Sequence, residues 1–400
     1  MTDKKQPKQR KINWWVIILI VLALAAIVFL MIYRLGNLMP GITYNENTLY
    51  GMRLGWHGIY HNPLNLPMKL LWSIDFKLFA PIGHFLLRLP SAITGGLTIV
   101  AYYILLQLWF GTRSAIIGTI LFATSAWTLH VSRLATIDIE YLAATTFFLL
   151  LAAILQKKIK TKYIYWLINI AWGLLLYVPG MVFLIVYNIF RQRREISFGF
   201  RTQNTIISKI IYLLSAIIWL PLLIINFIRS PHTITSWLAF PNHFANIFHI
   251  IKEFGAVFYH IFIYGPLLPS LWLGRLPILD IFGIIAALAG IYFYVTHIRA
   301  TRTHLIFVSI ILGSLLVALG GGVSISIVMP LIYILVTTGI AYLLSQWLSI
   351  FPENPIARSV GYTLIALAIT ASVIYNVRSY FIAWPHNQTS ISVFDVKVKD

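Results

Sequence analysis

WWVIILIVLALAAIVFLMIY, residues 14–33, carries no charge along its whole length. It is about as long as a helix must be to cross a hydrocarbon core of roughly 30 Å. Its reading decides the fold, because similar runs recur through the 400 residues. With 59% hydrophobic residues, 10% charged residues and a mean hydropathy of +0.83, the chain has too little polar material for a water-facing exterior. Such a composition describes an all-α polytopic membrane protein. Lys4, Lys5, Lys8, Arg10 and Lys11 precede the run and no small-residue cleavage pattern follows it, which reads as a retained signal anchor. The absence of cysteine excludes disulfides and thiolate metal sites.

Working outward, apolar segments near 90–108, 114–130, 139–156, 163–178, 181–190, 206–228, 278–296, 305–319, 327–347 and 359–377 bring the expectation to about eleven transmembrane helices. If residues 1–13 are a cytoplasmic basic tail, the short loops on that side collect Arg113, "KKIKTK", "RQRRE", Arg201, Lys209, Arg299, Arg302 and Arg358. This bias sets the orientation and accounts for the formal charge of +19, leaving no need for nucleic acid as a partner. Basic clusters flank both ends of 163–190, so a hairpin of two short crossings turning at Pro179-Gly180 is expected. An unbroken oblique helix there would invert everything downstream.

The expected organisation is a transmembrane domain over 14–377, with long extracytoplasmic loops at 34–89 and 229–277 and an extracytoplasmic tail at 378–400. The first loop mixes Pro breaks with amphipathic runs carrying Trp72, Phe76, Phe79 and Phe85, which suit interfacial helices. Of the 11 acidic residues, Glu46, Asp75, Asp138, Glu140, Glu253 and Asp280 fall on the outer side. Glu46 follows the first span outward, and Asp138 with Glu140 begins the fourth at membrane depth. A carboxylate so placed is costly unless paired or facing a polar cavity, and is a functional candidate. Such groups deprotonate or orient an acceptor hydroxyl, or hold a divalent metal. The structural alternatives are an Asp138–Arg133 pair and a Glu46 favoured by a helix N-terminus.

"ENTLYGMRLG", "HNPLNLPMKLLW", "LLRLPSAITGGLTIVAYYILLQLWFG", "ATSAWTLHVSRLATIDIEYL" and "LLLYVPGMVFL", in this order, resemble membrane glycosyltransferases of the GT-C class. The likeness is to the protein O-mannosyltransferase and aminoarabinose transferase type and covers about residues 40–190. It implies the GT-C fold and an enzyme of the plasma membrane. That enzyme would move a sugar, with inversion, from a polyprenyl-phosphate carrier to a protein, lipid or glycan acceptor on the extracytoplasmic side. No cofactor is implied, although acids of this kind can bind a divalent cation.

The family's first-loop motif is an Asp-Glu pair followed by Tyr. Alignment on Tyr50 puts Glu46 at the Asp position, as the catalytic base, and Asn47 at the Glu position. A shift by one puts Asn45 at the Asp position and Glu46 at the second. Asp138 resembles the family's second acidic site, with Glu140 as supporting acid. Basic groups must stabilise the departing phosphate. The outer-side candidates are Lys69, Arg88, Arg133, Arg229, Lys252, Arg275 and Arg378, since the family's first-loop lysine falls near Asn62, where no lysine stands.

His61 is a candidate donor-pocket residue, and His57 with His61 has the i, i+4 spacing of a weak metal pair. Trp237, Phe240, Phe244, Phe248, Phe254, Tyr259 and Tyr264 in the second loop could stack on a sugar or rest on headgroups. "GGGVS" after Leu319 offers amides to a phosphate or simply turns the chain. Two rival classes stand beside the enzyme: a noncatalytic GT-C-like scaffold, and a lipid or solute transporter. No internal repeat of the transporter kind is visible.

Overall fold

The structure, a computed structural model, describes residues 14–51, 56–79 and 83–394. The basic tail at 1–13 and the side chains of Tyr50 and His57 lie outside the described residues. Among those described there is no strand.

α1 (Trp14–Ile32) leads to a first loop built from three short helices, α2 (Tyr44–Gly51), α3 (Trp56–His61) and α4 (Leu66–Leu78). α4 buries Leu66, Met68, Trp72, Ser73 and Asp75 on one side and exposes Leu71, Ile74 and Leu78, as expected of a helix lying at the interface. α5 (His84–Phe110) starts six residues before the span expected at 90, so Arg88 belongs to a long helix rather than to the loop. Gly111, at φ 83°, turns the chain directly into α6 (Thr112–Thr124).

α6 and α7 (Ala126–Arg133) are a single apolar stretch bent by 61° at Ser125, whose side chain caps α7. α8 (Asp138–Gln156) runs back through the bundle. The segment at 163–190 divides into α9 (Lys162–Leu175) and α10 (Met181–Arg191), with Gly180 at φ 78° between them. The break thus falls at the expected Pro179-Gly180. At 14 and 11 residues, these two helices are roughly 21 and 16 Å long, short of a full hydrocarbon core.

α11 (Arg193–Arg201) lies beyond α10, and α12 (Ile206–Ile217) continues through a Pro221-bearing break into α13 (Leu220–Arg229). The second loop carries α14 (His232–Trp237) and α15 (Ile247–Phe262). α16 (Ile281–Thr296), α17 (Thr301–Ala318), α18 (Met329–Ile350) and α19 (Pro355–Arg378) complete the bundle, and α20 (Gln388–Val393) closes the described chain.

Among the described residues, six helices are long and apolar enough to cross a membrane, seven if α6 and α7 form one span. Shorter apolar helices lie at Met181–Arg191 and Ile281–Thr296. Each of the eleven expected segments has a helix, and α1, at 19 residues, is also of spanning length. Ile206, Ile228, Ile281 and Ile356 are each more than three quarters exposed, which suits a lipid-facing exterior.

Close packing is made by glycine rather than by large side chains. A Cβ on Gly339 of α18 would meet the Ala286 carbonyl oxygen of α16 at 1.7 Å, and one on Gly290 would meet the Leu335 oxygen at 2.0 Å. Small residues let two membrane helices approach backbone to backbone. Gly95 of α5 leaves room for the Ser132 side chain of α7, and so lets the two helices that carry Arg88 and Arg133 lie close together.

The expected extracytoplasmic tail at 378–400 is packed into the protein along its described part. Trp384 stacks on Tyr380, and Phe394, with no exposed surface, packs edge-on against Trp384.

Candidate active site

Glu46 is fully buried, and its first bonds are local. The Thr43 backbone N–H donates to its Oε2 at 2.9 Å, while its own N–H donates to Thr43 Oγ1 at 3.2 Å. This is the reciprocal arrangement of a Thr-x-x-Glu capping box at the start of α2. Arg88 then reaches in from α5, with Nε donating to Oε1 at 2.8 Å and Nη2 to Oε2 at 3.0 Å. The backbone N–H of Ala135, in the loop between α7 and α8, donates to Oε1 at 3.1 Å.

With a longer bond of 3.4 Å from the Thr43 hydroxyl, Oε2 accepts three bonds and Oε1 two, and the carboxylate ties the first-loop helix to α5 and to the α7–α8 loop. Burial by itself would push its pKa up. The Arg88 charge and the hydrogen bonds from Arg88, Thr43 and Ala135 outweigh that, so the carboxyl sits below its ordinary value.

This geometry corrects the part expected of Glu46. A proton acceptor needs a free lone pair and access to the substrate hydroxyl. Glu46 has neither: its acceptor sites are filled and it is sealed from solvent. The residue beside it, Asn45, is exposed.

Arg88 and Arg133 are corrected in the same way. Arg88 spends its remaining donors on the carbonyls of Gly41 and Leu35, and its guanidinium lies 5.7 Å from the Phe394 ring centre. Arg133 donates to the carbonyls of Leu30 and Tyr33 at the C-terminus of α1, between the rings of Tyr380 and Phe381. A basic group at a helix C-terminus meets the carbonyls that the helix leaves unpaired. Neither arginine has a face open to a ligand phosphate, and Arg133 forms no ion pair with Asp138.

Asp138 opens the first turn of α8 three residues after Ala135, is half-buried, and has no hydrogen bond or ion pair among the described residues. Glu140, one residue beyond Ile139, is buried at 2% exposure, and neither oxygen has a hydrogen-bonding partner within normal geometry. The groups acting on it come from α4: the Met68 backbone N–H and the Lys69 ammonium.

Lys69 donates to the Asn62 carbonyl at 2.8 Å. A lysine does reach the neighbourhood of Asn62 where the resemblance calls for one, from seven residues further along. Burial pulls its pKa down to about 8, against a smaller upward pull from Glu140.

Asp75, on the same helix and named in the sequence only as an outer acid, is buried and pushed up to about 6 by burial. Sequence reasoning passed over it because α4 reads as interfacial, with nothing in its spacing to mark which polar residue turns inward.

The other candidates lie apart. His61 is exposed at the end of α3, and Arg229 lies over the neighbouring Tyr60 ring at 4.6 Å. Lys252 and Arg275 are exposed in the second loop. Arg378 is exposed and lines a cavity of about 530 Å³ beside Tyr375 and Ile382, on α19 and its continuation. Trp237 donates to the Leu176 carbonyl and Phe240 contacts the rings of Phe183 and Phe244, whereas Phe248 is exposed. In the glycine cluster, a Cβ on Gly321 would meet the Ala239 carbonyl oxygen at 2.0 Å, so the cluster serves a close contact between the two outer segments. Among the described residues no three of His, Asp and Glu gather into a metal cluster.

No family model and no curated protein matches this sequence. Solved structures do match by fold. ArnT from Cupriavidus metallidurans in the apo state superposes with a TM-score of 0.53 at 13% identity, over 95% of this chain and 76% of ArnT. The same protein bound to undecaprenyl phosphate gives 0.52 at 14% identity, over 96% and 77%. The archaeal oligosaccharyltransferase AglB from Archaeoglobus fulgidus, in complex with an inhibitory peptide and a dolichol-phosphate, gives 0.56 at 14% identity, over 92% of this chain and 56% of AglB. The chain thus spans about three quarters of ArnT and little more than half of AglB. Both are GT-C glycosyltransferases, and this multi-pass membrane chain has the GT-C fold.

Proposed function

We propose that the chain is an inverting glycosyltransferase of the plasma membrane that takes a sugar from a polyprenyl phosphate on the extracytoplasmic side. The observation that carries this reading is Asp138, an accessible and unpaired carboxylate at a helix start fixed through Ala135 and Glu46, close in sequence to the Glu140 that acts on Lys69. The fold shared with proteins crystallised with undecaprenyl phosphate and dolichol-phosphate supports a lipid-linked donor.

In this reading Asp138 accepts the proton of the acceptor hydroxyl as its oxygen attacks the anomeric carbon. The C–O bond to the lipid phosphate breaks on the opposite face, and the phosphate leaves as an anion stabilised by Lys69. Glu46 and Arg88 are the clamp that holds the first loop over the site. The acceptor is a protein, lipid or glycan.

The test is transfer of labelled sugar from a panel of polyprenyl-phosphate sugars in proteoliposomes. Asp138→Asn should abolish turnover while donor binding persists, and Lys69→Met should weaken both. Activity retained in Asp138→Asn would remove it as the base.

One observation favours a second reading. Asn45, which cannot accept the proton, stands exposed beside the buried Glu46, as in a noncatalytic GT-C-like scaffold that holds the donor. Donor binding without turnover of any donor, across a panel of acceptors, would select it.

A further inference from the structure

At the end of the bundle opposite Asp138, where α8 and α10 finish and α11 and α17 begin, lies a cavity of about 460 Å³. Its lining includes Gln156, Arg191, Gln192, Arg193, Arg194 and Thr301. The three arginines are exposed and form no ion pair among the described residues. Glu195 also lines the space, leaving an excess of positive charge.

Gln192 is only 1% exposed, yet neither its Oε1 nor its Nε2 has a partner, and the Gln156 Nε2 is likewise unpaired. A buried carboxamide without hydrogen bonds costs about 1–3 kcal/mol, so it calls for a ligand to accept and donate there. Thr301 is the first residue of an 18-residue helix with no side-chain cap, and such a terminus offers free N–H groups to an anion.

A second cavity, of about 580 Å³, shares Gln156 and Thr301 with the first. Phe110, Phe293 and Tyr342 line its far side, and Arg302 is held there by the Trp109 carbonyl. A cationic, amide-lined mouth thus opens beside an aromatic trough.

We propose that this cleft binds a phosphate monoester carried on a lipid, its headgroup against Arg191, Gln192 and Arg194 and its hydrocarbon along Phe293 and Tyr342. The site is separate from the outer one and does not depend on the function proposed for it.

The test is calorimetric titration of the full chain in maltoside micelles with dilauroyl phosphatidate, inorganic phosphate and dilauroylglycerol. Phosphatidate should bind saturably and dilauroylglycerol should not. Removing two guanidinium contacts in Arg191→Gln/Arg194→Gln should weaken phosphatidate by about tenfold or more. These side chains are exposed, so folding is spared, and Tyr342→Ser gives an independent arm: it should weaken phosphatidate and leave inorganic phosphate unchanged. Phosphatidate binding that ignores both variants, or its absence, overturns the site. Inorganic phosphate binding as tightly as phosphatidate overturns the lipid half of the proposal.

Discussion

Glu46 shows how one side chain can be legible for its position while its partners are not. The sequence offered a helix N-terminus as its structural alternative, and the structure makes that a capping box with Thr43. What could not be seen is Arg88, 42 residues away, whose reach depends on α5 starting early. Removing one partner of a buried pair strands the other. Glu46→Gln should therefore cost about 3 kcal/mol of stability, read as a fall in the melting temperature in micelles, with part recovered in Glu46→Gln/Arg88→Met. Because the folded-state pKa of Glu46 is depressed, its contribution is present above the ordinary value of 4.5 and is lost as the pH falls below it.

Lys69 and Asp75 give two further pH signatures at this scale. Lys69 is charged below about 8 and neutral above it, so donor affinity should fall as pH rises through that value. Lys69→Arg should extend binding to higher pH, which a titration series would detect. Asp75 binds its proton more tightly folded than unfolded between about 4 and 6. Stability should decline as pH rises across that window, and Asp75→Asn should flatten the decline in melting curves.

Among the elements, the apolar runs told where helices lie but not how each one ends. α5 extends outward past Pro90, α6 and α7 share one run across a sharp bend, and α9 and α10 stop well short of a bilayer's thickness. Hydropathy sums a window and is blind to such bends, whereas Gly111 and Gly180 mark positions where the backbone must take positive φ. The glycines of α16 and α18 meet backbone, which cannot swing aside as a side chain can. Gly339→Val should abolish monodisperse protein on size-exclusion chromatography. Gly255→Ala, with nothing within 4 Å of the added carbon, should leave the profile unchanged.

For the whole molecule, composition was enough for a polytopic membrane protein, since burial of apolar helices in lipid follows from residue type alone, whereas the GT-C fold was implied only by the resemblance of its ordered motifs. Asp138 and Glu140 stood out in the sequence as acids at membrane depth, but the nearness of Glu140 to Met68 and Lys69 depends on α4 lying against the start of α8, which no local pattern encodes.

The packed C-terminal segment extends this point to biosynthesis. Arg88 and Glu46 lie early in the chain, while the ring that covers the guanidinium belongs to Phe394. The pair can meet as soon as α5 is inserted, yet it stays open on one side until the last helices have left the ribosome. The clamp is thus sealed only after α19 has been made, and a variant cut after Ala383 would retain α1–α19 with it unsealed. Such a variant should insert normally but expose Arg88 to hydrogen exchange and α2 to proteolysis, making Phe394 a checkpoint for a pair formed far earlier in the chain.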